Sequence, residues 1–314
     1  MKKTVFTLLA VILQTAAIAQ ESRTEYNFLR LPVSAHAAAL GSESVTLVDD
    51  DESLIFGNPA LLCNVSDKSL LLNYMTYMEG SNTLSAAFNR VLGEKAAVAV
   101  AAQYFNYGEM KEVDENNNIK GDFSAKDISI NGYFSYVLAN NLTGGIAAKF
   151  ITSYIGDYNA MAMGVDLGLN YADSESGWSL GVAVKNLGGQ LDAFDDNYEK
   201  MPVDVVAGVT KQLPHTPFRF SFTMSDLNHL DYKFKNHVAA GVDILLSETI
   251  WVGGGYNFRR AEEMSMGEGD EESSHGAGLS FGAGINLNRF KLNMAYGKYH
   301  VSSSSLLINA SFVF

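Results

Sequence analysis

From about residue 68 onward, apolar and polar positions alternate with a period of two rather than 3.6, the pattern of strands with two unlike faces. Within 159–171, Met161, Met163, Val165, Leu167, Leu169 and Tyr171 alternate with Ala160, Ala162, Gly164, Asp166, Gly168 and Asn170. Phe218, Phe220, Phe222 and Met224 alternate in the same way with Arg219, Ser221, Thr223 and Ser225. One face is large and apolar; the other is small or polar. A soluble sandwich buries its large face and charges the other, whereas a membrane barrel turns the large face to lipid and crowds small side chains into its lumen. The second pattern is the one present.

About fourteen segments carry this pattern: 68–78, 82–92, 95–107, 125–138, 141–153, 159–171, 177–186, 202–212, 216–226, 236–246, 248–259, 275–287, 289–299 and 304–314. The even count and lengths of ~10 residues or more suit tilted antiparallel membrane strands. If the first strand rises from the periplasm, connections after even-numbered strands should be short. Those at 93–94, 139–140, 173–176, 213–215, 247 and 288 are short, while 108–124, 187–201, 227–235 and 260–274 are longer. Pro202, Pro214 and Pro217 fall at strand ends or in turns, where a missing N–H is tolerated. The last segment alternates through Leu306, Ile308 and Ala310 to Phe312 and Phe314, which reads as a barrel-assembly signal. The expected fold is all-β and transmembrane: an antiparallel outer-membrane β-barrel of about 14 strands over residues 68–314.

Composition agrees. Charged residues make up only 18% of the 314, while 18 Phe and 15 Tyr are present, as when much of the exterior does not meet water. The net charge of −13 argues against nucleic acid as a partner. The single cysteine, Cys63, excludes an internal disulfide and reads as a small packing residue. Lys2 and Lys3, the apolar run from Val5 to Leu13 and the Ala17-Ile18-Ala19 site make residues 1–19 an expected secretory signal peptide.

Residues 20–67 do not alternate. Residues 34–40 favour helix, stopped by Gly41, and a short helix is expected to begin at Pro59. Because the lumen face is so rich in Gly, Ala and Ser, this segment is expected to fold back as a partly helical plug in the lumen. Lys149, Lys185, Arg219 and Lys291 would face that lumen and are candidate partners for the acidic run Asp49 to Glu52; a solvated turn at the periplasmic mouth is the other reading of that run. Gly253-Gly254-Gly255 marks a place where plug and wall approach closely.

The stretch Asn27-Phe28-Leu29-Arg30-Leu31-Pro32-Val33, then Ala39-Leu40-Gly41, Asp49-Asp50-Asp51 and Asn58-Pro59-Ala60-Leu61-Leu62, resembles the PorV/PorQ group of type IX secretion barrels, which are similar to the FadL transporters. The match is dense over residues 26–62, and its opening and closing motifs resemble the PorQ branch. In this plug motif the positions carried over are Leu31, Pro32, Gly41, Asp50, Asn58, Pro59 and Ala60. The resemblance implies a non-enzymatic subunit of the attachment complex without a cofactor. It would anchor a PorZ-like surface protein near a PorU-like sortase and a PorV-like barrel, where cargo is joined to anionic lipopolysaccharide. The alternative is FadL-like transport of hydrophobic compounds.

The residues point the same way on catalysis. The six histidines, His36, His215, His229, His237, His275 and His300, are scattered without metal-binding spacing. His300 with 302–305, and His275 with Ser273-Ser274, are the best candidates for a rim hydrolase; each also reads as polar loop residues. The long connections are acidic: Glu112, Asp114 and Glu115 in one, Asp195 and Asp196 in another, and Glu262, Glu263, Glu268, Asp270 and Glu271 in a third. Such loops suit a basic partner protein, calcium, or simple solvation. As external loops, they are the expected partner-binding surface.

Overall fold

In a computed structural model of the chain, fourteen antiparallel strands close into a barrel, each paired with its neighbours in sequence and the last with the first. The structure describes residues 26–41, 43–78, 80–114, 118–195, 197–264, 276–301 and 303–314. The expected leader 1–19 lies outside them, as do Glu115, Asp196, Glu268, Asp270, Glu271, His275 and Ser302. The strands are β1 (Ser69–Thr76), β2 (Asn82–Leu92), β3 (Ala96–Val113), β4 (Ile119–Ala139), β5 (Leu142–Ile155), β6 (Tyr158–Asp173) and β7 (Trp178–Asp192). The chain continues through β8 (Asp204–Gln212), β9 (Phe218–Met224), β10 (Val238–Leu245), β11 (Ile250–Asn257), β12 (Leu279–Asn286), β13 (Phe290–His300) and β14 (Ser303–Val313). A short helix, α1 (Ala35–Ala39), lies before the barrel, and another, α2 (Phe258–Glu263), follows β11.

The alternation has the expected physical result. Large side chains point outward, with Val100 64% and Ile130 60% exposed, while their neighbours Ala99, Ala101, Ser129 and Asn131 are buried. Tyr136, Tyr171, Trp178, Phe218, Phe290 and Phe312 are all outward-facing near the short-turn end of their strands, an aromatic girdle of the kind that sits at a membrane interface. Phe314 packs edge-on against Phe312 at 5.1 Å.

Two of the long connections are shorter than expected: β7 runs on to Asp192, taking up the first part of 187–201, and the change is larger between β3 and β4. Residues 108–124 are mostly strand: β3 and β4 run past their outer neighbours and pair with each other through Glu109↔Ser124 and Glu112↔Gly121. Beyond Asn106, where β2 ends, β3 continues for about seven residues, on the order of 20 Å. The charged residues there hid the strand, because a hairpin clear of the membrane needs no apolar face. The barrel wall is therefore uneven: β4 has 21 residues, β9 only 7.

Residues 26–66 fill the lumen. At Tyr26 this segment lies near the end bearing the long connections, where Gln190 of β7 donates to the Tyr26 hydroxyl at 3.1 Å. It passes through a 3-10 turn (Asn27–Arg30), α1 and two further 3-10 turns (Glu52–Phe56 and Pro59–Asn64), and leaves at the short-turn end into β1. The wall makes room by being small. Ile55, Phe56 and Leu62 pack on Ala97, Ala99, Ala101 and Ala147, and Ala35, Ala38 and Ala39 pack on Met75, Ala295 and Leu307. Cys63 is half-buried beside this core, its sulfur 3.0 Å from the Ser135 hydroxyl.

Candidate functional site

What the plug can do depends on how it is held. Asn58 caps the Pro59–Asn64 turn by accepting from the Ala60 N–H at 3.0 Å. Its amide donates to the carbonyls of Val45 in the plug (2.9 Å) and Leu169 in β6 (3.2 Å). Pro59 occupies the first helical position, where its missing N–H costs nothing. Close approach requires glycine in the wall here: a Cβ on Gly168 would lie 2.0 Å from Asn58 Oδ1, and one on Gly145 2.3 Å from the Pro59 carbonyl carbon.

The opposite side of the plug is seated by α1. Ser34 caps it by accepting from Ala37 N–H at 3.2 Å. Wall asparagines Asn73 and Asn309 each donate to the Val33 carbonyl at 2.9 Å, and Asn309 accepts from the Ala35 N–H. After α1, Gly41 adopts φ 95°, and its carbonyl accepts from Asn257 at 3.0 Å. A Cβ on Gly255 would meet the Leu40 carbonyl carbon at 2.1 Å. The Gly253-Gly254-Gly255 run is thus split: Gly253 and Gly255 face Leu40, and Gly254 faces Phe281. Of the remaining motif positions, Leu31 packs against the apolar cluster around α1, and Pro32 lines a cavity at the long-connection end.

Charge supplies the second set of contacts. Arg219 on β9 grips Asp49 with both terminal nitrogens (2.7 and 2.9 Å) and donates from Nε to Asp243 of β10 at 2.9 Å. His36 of α1 completes this group, with Nε2 3.0 Å from Asp243 and Nδ1 3.4 Å from Asp49. Its ring stacks on Trp251 of β11 at 3.7 Å and 10°. Trp251 donates to Asn293 at 3.0 Å, and Asn293 donates to Asp51 at 3.1 Å. Lys291 donates to the Asp50 carboxylate at 2.5 Å and to its carbonyl at 2.6 Å. Burial alone would raise the Asp49 carboxyl, but the Arg219 guanidinium holds it down to about 2.

Of the four lumen cations, then, Arg219 and Lys291 meet the Asp49 to Glu52 run. Lys185 instead binds Glu43 of the plug, and Lys149 pairs with Asp166 of the wall at 2.7 Å. Among the described residues Glu52 takes no ion pair. It is 1% exposed, neither carboxyl oxygen has a hydrogen-bond partner, and burial pushes it up to about 8. The sequence did not mark His36, Asp243 or Asp166 as members of these charge clusters. The two aspartates carried a signal, since each is a charge on a strand face of otherwise small residues.

The acidic residues of the long connections stand on separate structures. Glu112 is exposed on the β3–β4 hairpin. Asp114 holds the tip by accepting from the Asn118 N–H at 2.9 Å, and Asp195 accepts from the Asn197 N–H at 2.7 Å. On α2, Glu262 pairs with Lys233 (2.6 Å) and Lys235 (2.8 Å), and Glu263 with Arg259 (2.6 Å). Asp226, in the connection after β9, lies between Arg30 at 2.7 Å and Arg259. Burial opposes its charge, yet these two guanidinium groups hold its carboxyl below the usual range. Near His300, Ser303 donates to the Tyr77 carbonyl at 2.7 Å and Ser304 accepts from Tyr296 at 2.7 Å.

The fold is shared with solved outer-membrane barrels. The toluene transporter TodX of Pseudomonas putida is 14% identical, with 88% of this chain and 96% of that one covered at a TM-score of 0.55. The monoaromatic hydrocarbon channel CymD is 13% identical, with coverage of 90% and 97% and a TM-score of 0.55. A FadL homologue of Pseudomonas aeruginosa is 11% identical, with coverage of 88% and 96% and a TM-score of 0.50. These likenesses speak to fold alone. No curated protein sequence matches the chain. Residues 116–309, from just before β4 into β14, match the model of the type IX secretion system membrane protein PorP/SprF, and the chain belongs to that family.

Proposed function

We propose that this barrel is a non-enzymatic, PorQ-like subunit of the type IX attachment complex, with its long-connection end facing the cell exterior. There it holds a PorZ-like surface protein beside a PorU-like sortase and a PorV-like barrel, so that cargo is joined to anionic lipopolysaccharide. The single observation that carries the reading is the seating of the plug. Buried side chains, two asparagine anchors and the Arg219 group fix it to the wall, which suits a rigid platform. The motif from Asn27 to Pro32 and the Asn58-Pro59-Ala60-Leu61-Leu62 ending support the PorQ-like assignment.

The shared fold with TodX and CymD, described as a toluene transporter and a monoaromatic hydrocarbon channel, favours a second reading: passage of a hydrophobic compound. Against it, Leu47, Leu54, Ile55, Leu61 and Leu62 of the plug are all at most 1% exposed, and the cavity above them is lined with charge.

Cross-linking of intact cells, followed by purification of the tagged barrel and mass spectrometry, separates the two. A large surface protein and a surface peptidase linked through the β3–β4 hairpin, 193–203 or 258–278 is the expected result. A barrel recovered alone with bound hydrocarbon or fatty acid would overturn the scaffold.

A further inference from the structure

A cavity of about 260 Å³ opens at the long-connection end, between the start of the plug, the connection after β9 and α2. Three of the cations on its wall are matched by carboxylates of the same chain. Arg30 and Arg259 share Asp226, and Lys185 has Glu43. Arg260 is different. It is 7% exposed, and its guanidinium is held by neutral oxygens: Nε donates to the Ala277 carbonyl at 2.9 Å, and Nη2 to the Gly278 carbonyl at 3.1 Å and the Ser280 hydroxyl at 2.5 Å. Tyr299 covers one face, its ring centre 4.5 Å from the guanidinium carbon. Among the described residues Nη1 has no hydrogen-bond partner, and neither has the buried Tyr299 hydroxyl; both residues line the cavity.

A buried charge without a counter-charge is costly, and buried donors without acceptors are uncommon. Among the described residues both occur on one cavity wall. We propose that the cavity binds a carboxylate, which accepts hydrogen bonds from Arg260 Nη1 and the Tyr299 hydroxyl. A guanidinium matches a carboxylate in charge and shape. A phosphate dianion fits less well, because Asp204, Asp226, Glu43 and Glu263 also border the space and would repel the second charge. Those same groups make it a poor berth for an acyl chain. The ligand is therefore short and polar: a small carboxylic acid, or an aspartate or glutamate side chain presented by a peptide.

The test is calorimetric titration of the full-length barrel in detergent with acetate, decanoate, the blocked tripeptide acetyl-Gly-Glu-Gly-amide and its glutamine counterpart. The glutamate tripeptide or acetate is expected to bind, and the glutamine tripeptide at least about tenfold more weakly than the glutamate form. Tighter binding of the glutamate tripeptide than of acetate identifies a peptide as the source; equal binding identifies a small acid. Arg260→Met should abolish binding. Because that variant also strips four hydrogen bonds and can fail to fold, Tyr299→Phe and Arg260→Lys provide the second reading, each weakening binding severalfold. Equal binding of the two tripeptides, no binding of acetate or glutamate tripeptide at millimolar concentration, or unchanged affinity in both conservative variants would overturn the proposal. So would decanoate binding far more tightly than acetate.

Discussion

Arg219 is the shared partner of Asp49 from the plug and Asp243 from the wall, so its loss strands two carboxylates in a confined space. Arg219→Met is expected to cost on the order of 3–5 kcal/mol of plug seating. Hydrogen exchange at the α1 amides measures this, and Asp49→Asn with Asp243→Asn in the same chain should recover most of it. Glu52 makes the opposite case, because it is buried without a partner. Its carboxyl at about 8 lies above the value in an unfolded chain, so the folded state holds the extra proton. The contribution of Glu52 is complete below about pH 4.5 and is lost as pH rises through about 8. Glu52→Gln should accordingly stabilise the plug by on the order of 3 kcal/mol near pH 7 and by little at pH 4, with the gain growing up to pH 9. Thermal unfolding across that range decides it; a pH-independent effect would be evidence against a protonated Glu52.

The elements of the plug are too short to be stable alone, and each depends on a cap and a matching gap in the wall. The Pro59–Asn64 turn needs Asn58 on its own side and Gly168 on the other. Gly168→Val puts its side chain where Asn58 Oδ1 lies and should unseat this end of the plug without breaking a strand pair. Single-channel recording is the direct measure. Closed wild-type barrels and ion-conducting Gly168→Val barrels are expected, whereas equal currents would mean that the turn is not part of the seal. Asn58→Ala, which loses one cap, one hydrogen bond within the plug and one from plug to wall, should act in the same direction at a cost of about 1–2 kcal/mol.

At the scale of the molecule, the uneven wall sets what a partner can meet. Above the level of Asn106, β3 pairs only with β4 among the described residues, so shortening this hairpin removes no strand pairing that closes the barrel. Replacing 107–123 with a tight turn should leave a barrel that still shifts on heating in gel electrophoresis. The same variant should retain less of the surface protein if the hairpin is part of the docking rim. Full retention would move the docking surface to the lower side, around α2 and the connection after β9.

Strand number, the lipid and lumen faces and the short turns were legible in the sequence because each depends on neighbours along the chain. A two-residue repeat fixes which face every side chain takes, and lipid allows no other arrangement for so many apolar side chains. The helix at Ala35–Ala39 and the turn at Pro59 were legible for the same reason, through Ser34, Gly41 and Asn58. The partners were not. Lys185 with Glu43, Lys149 with Asp166 and His36 with Asp243 are contacts between residues 17 to 207 positions apart, chosen by how the plug is threaded or, for Lys149 with Asp166, by the register of two adjacent strands. Nor does the sequence mark Arg260 among 22 basic residues; only closure of the barrel buries it, leaves one of its nitrogens without a partner and opens a cavity beside it. Local pattern decides what faces lipid, and tertiary closure decides which buried charges find a partner.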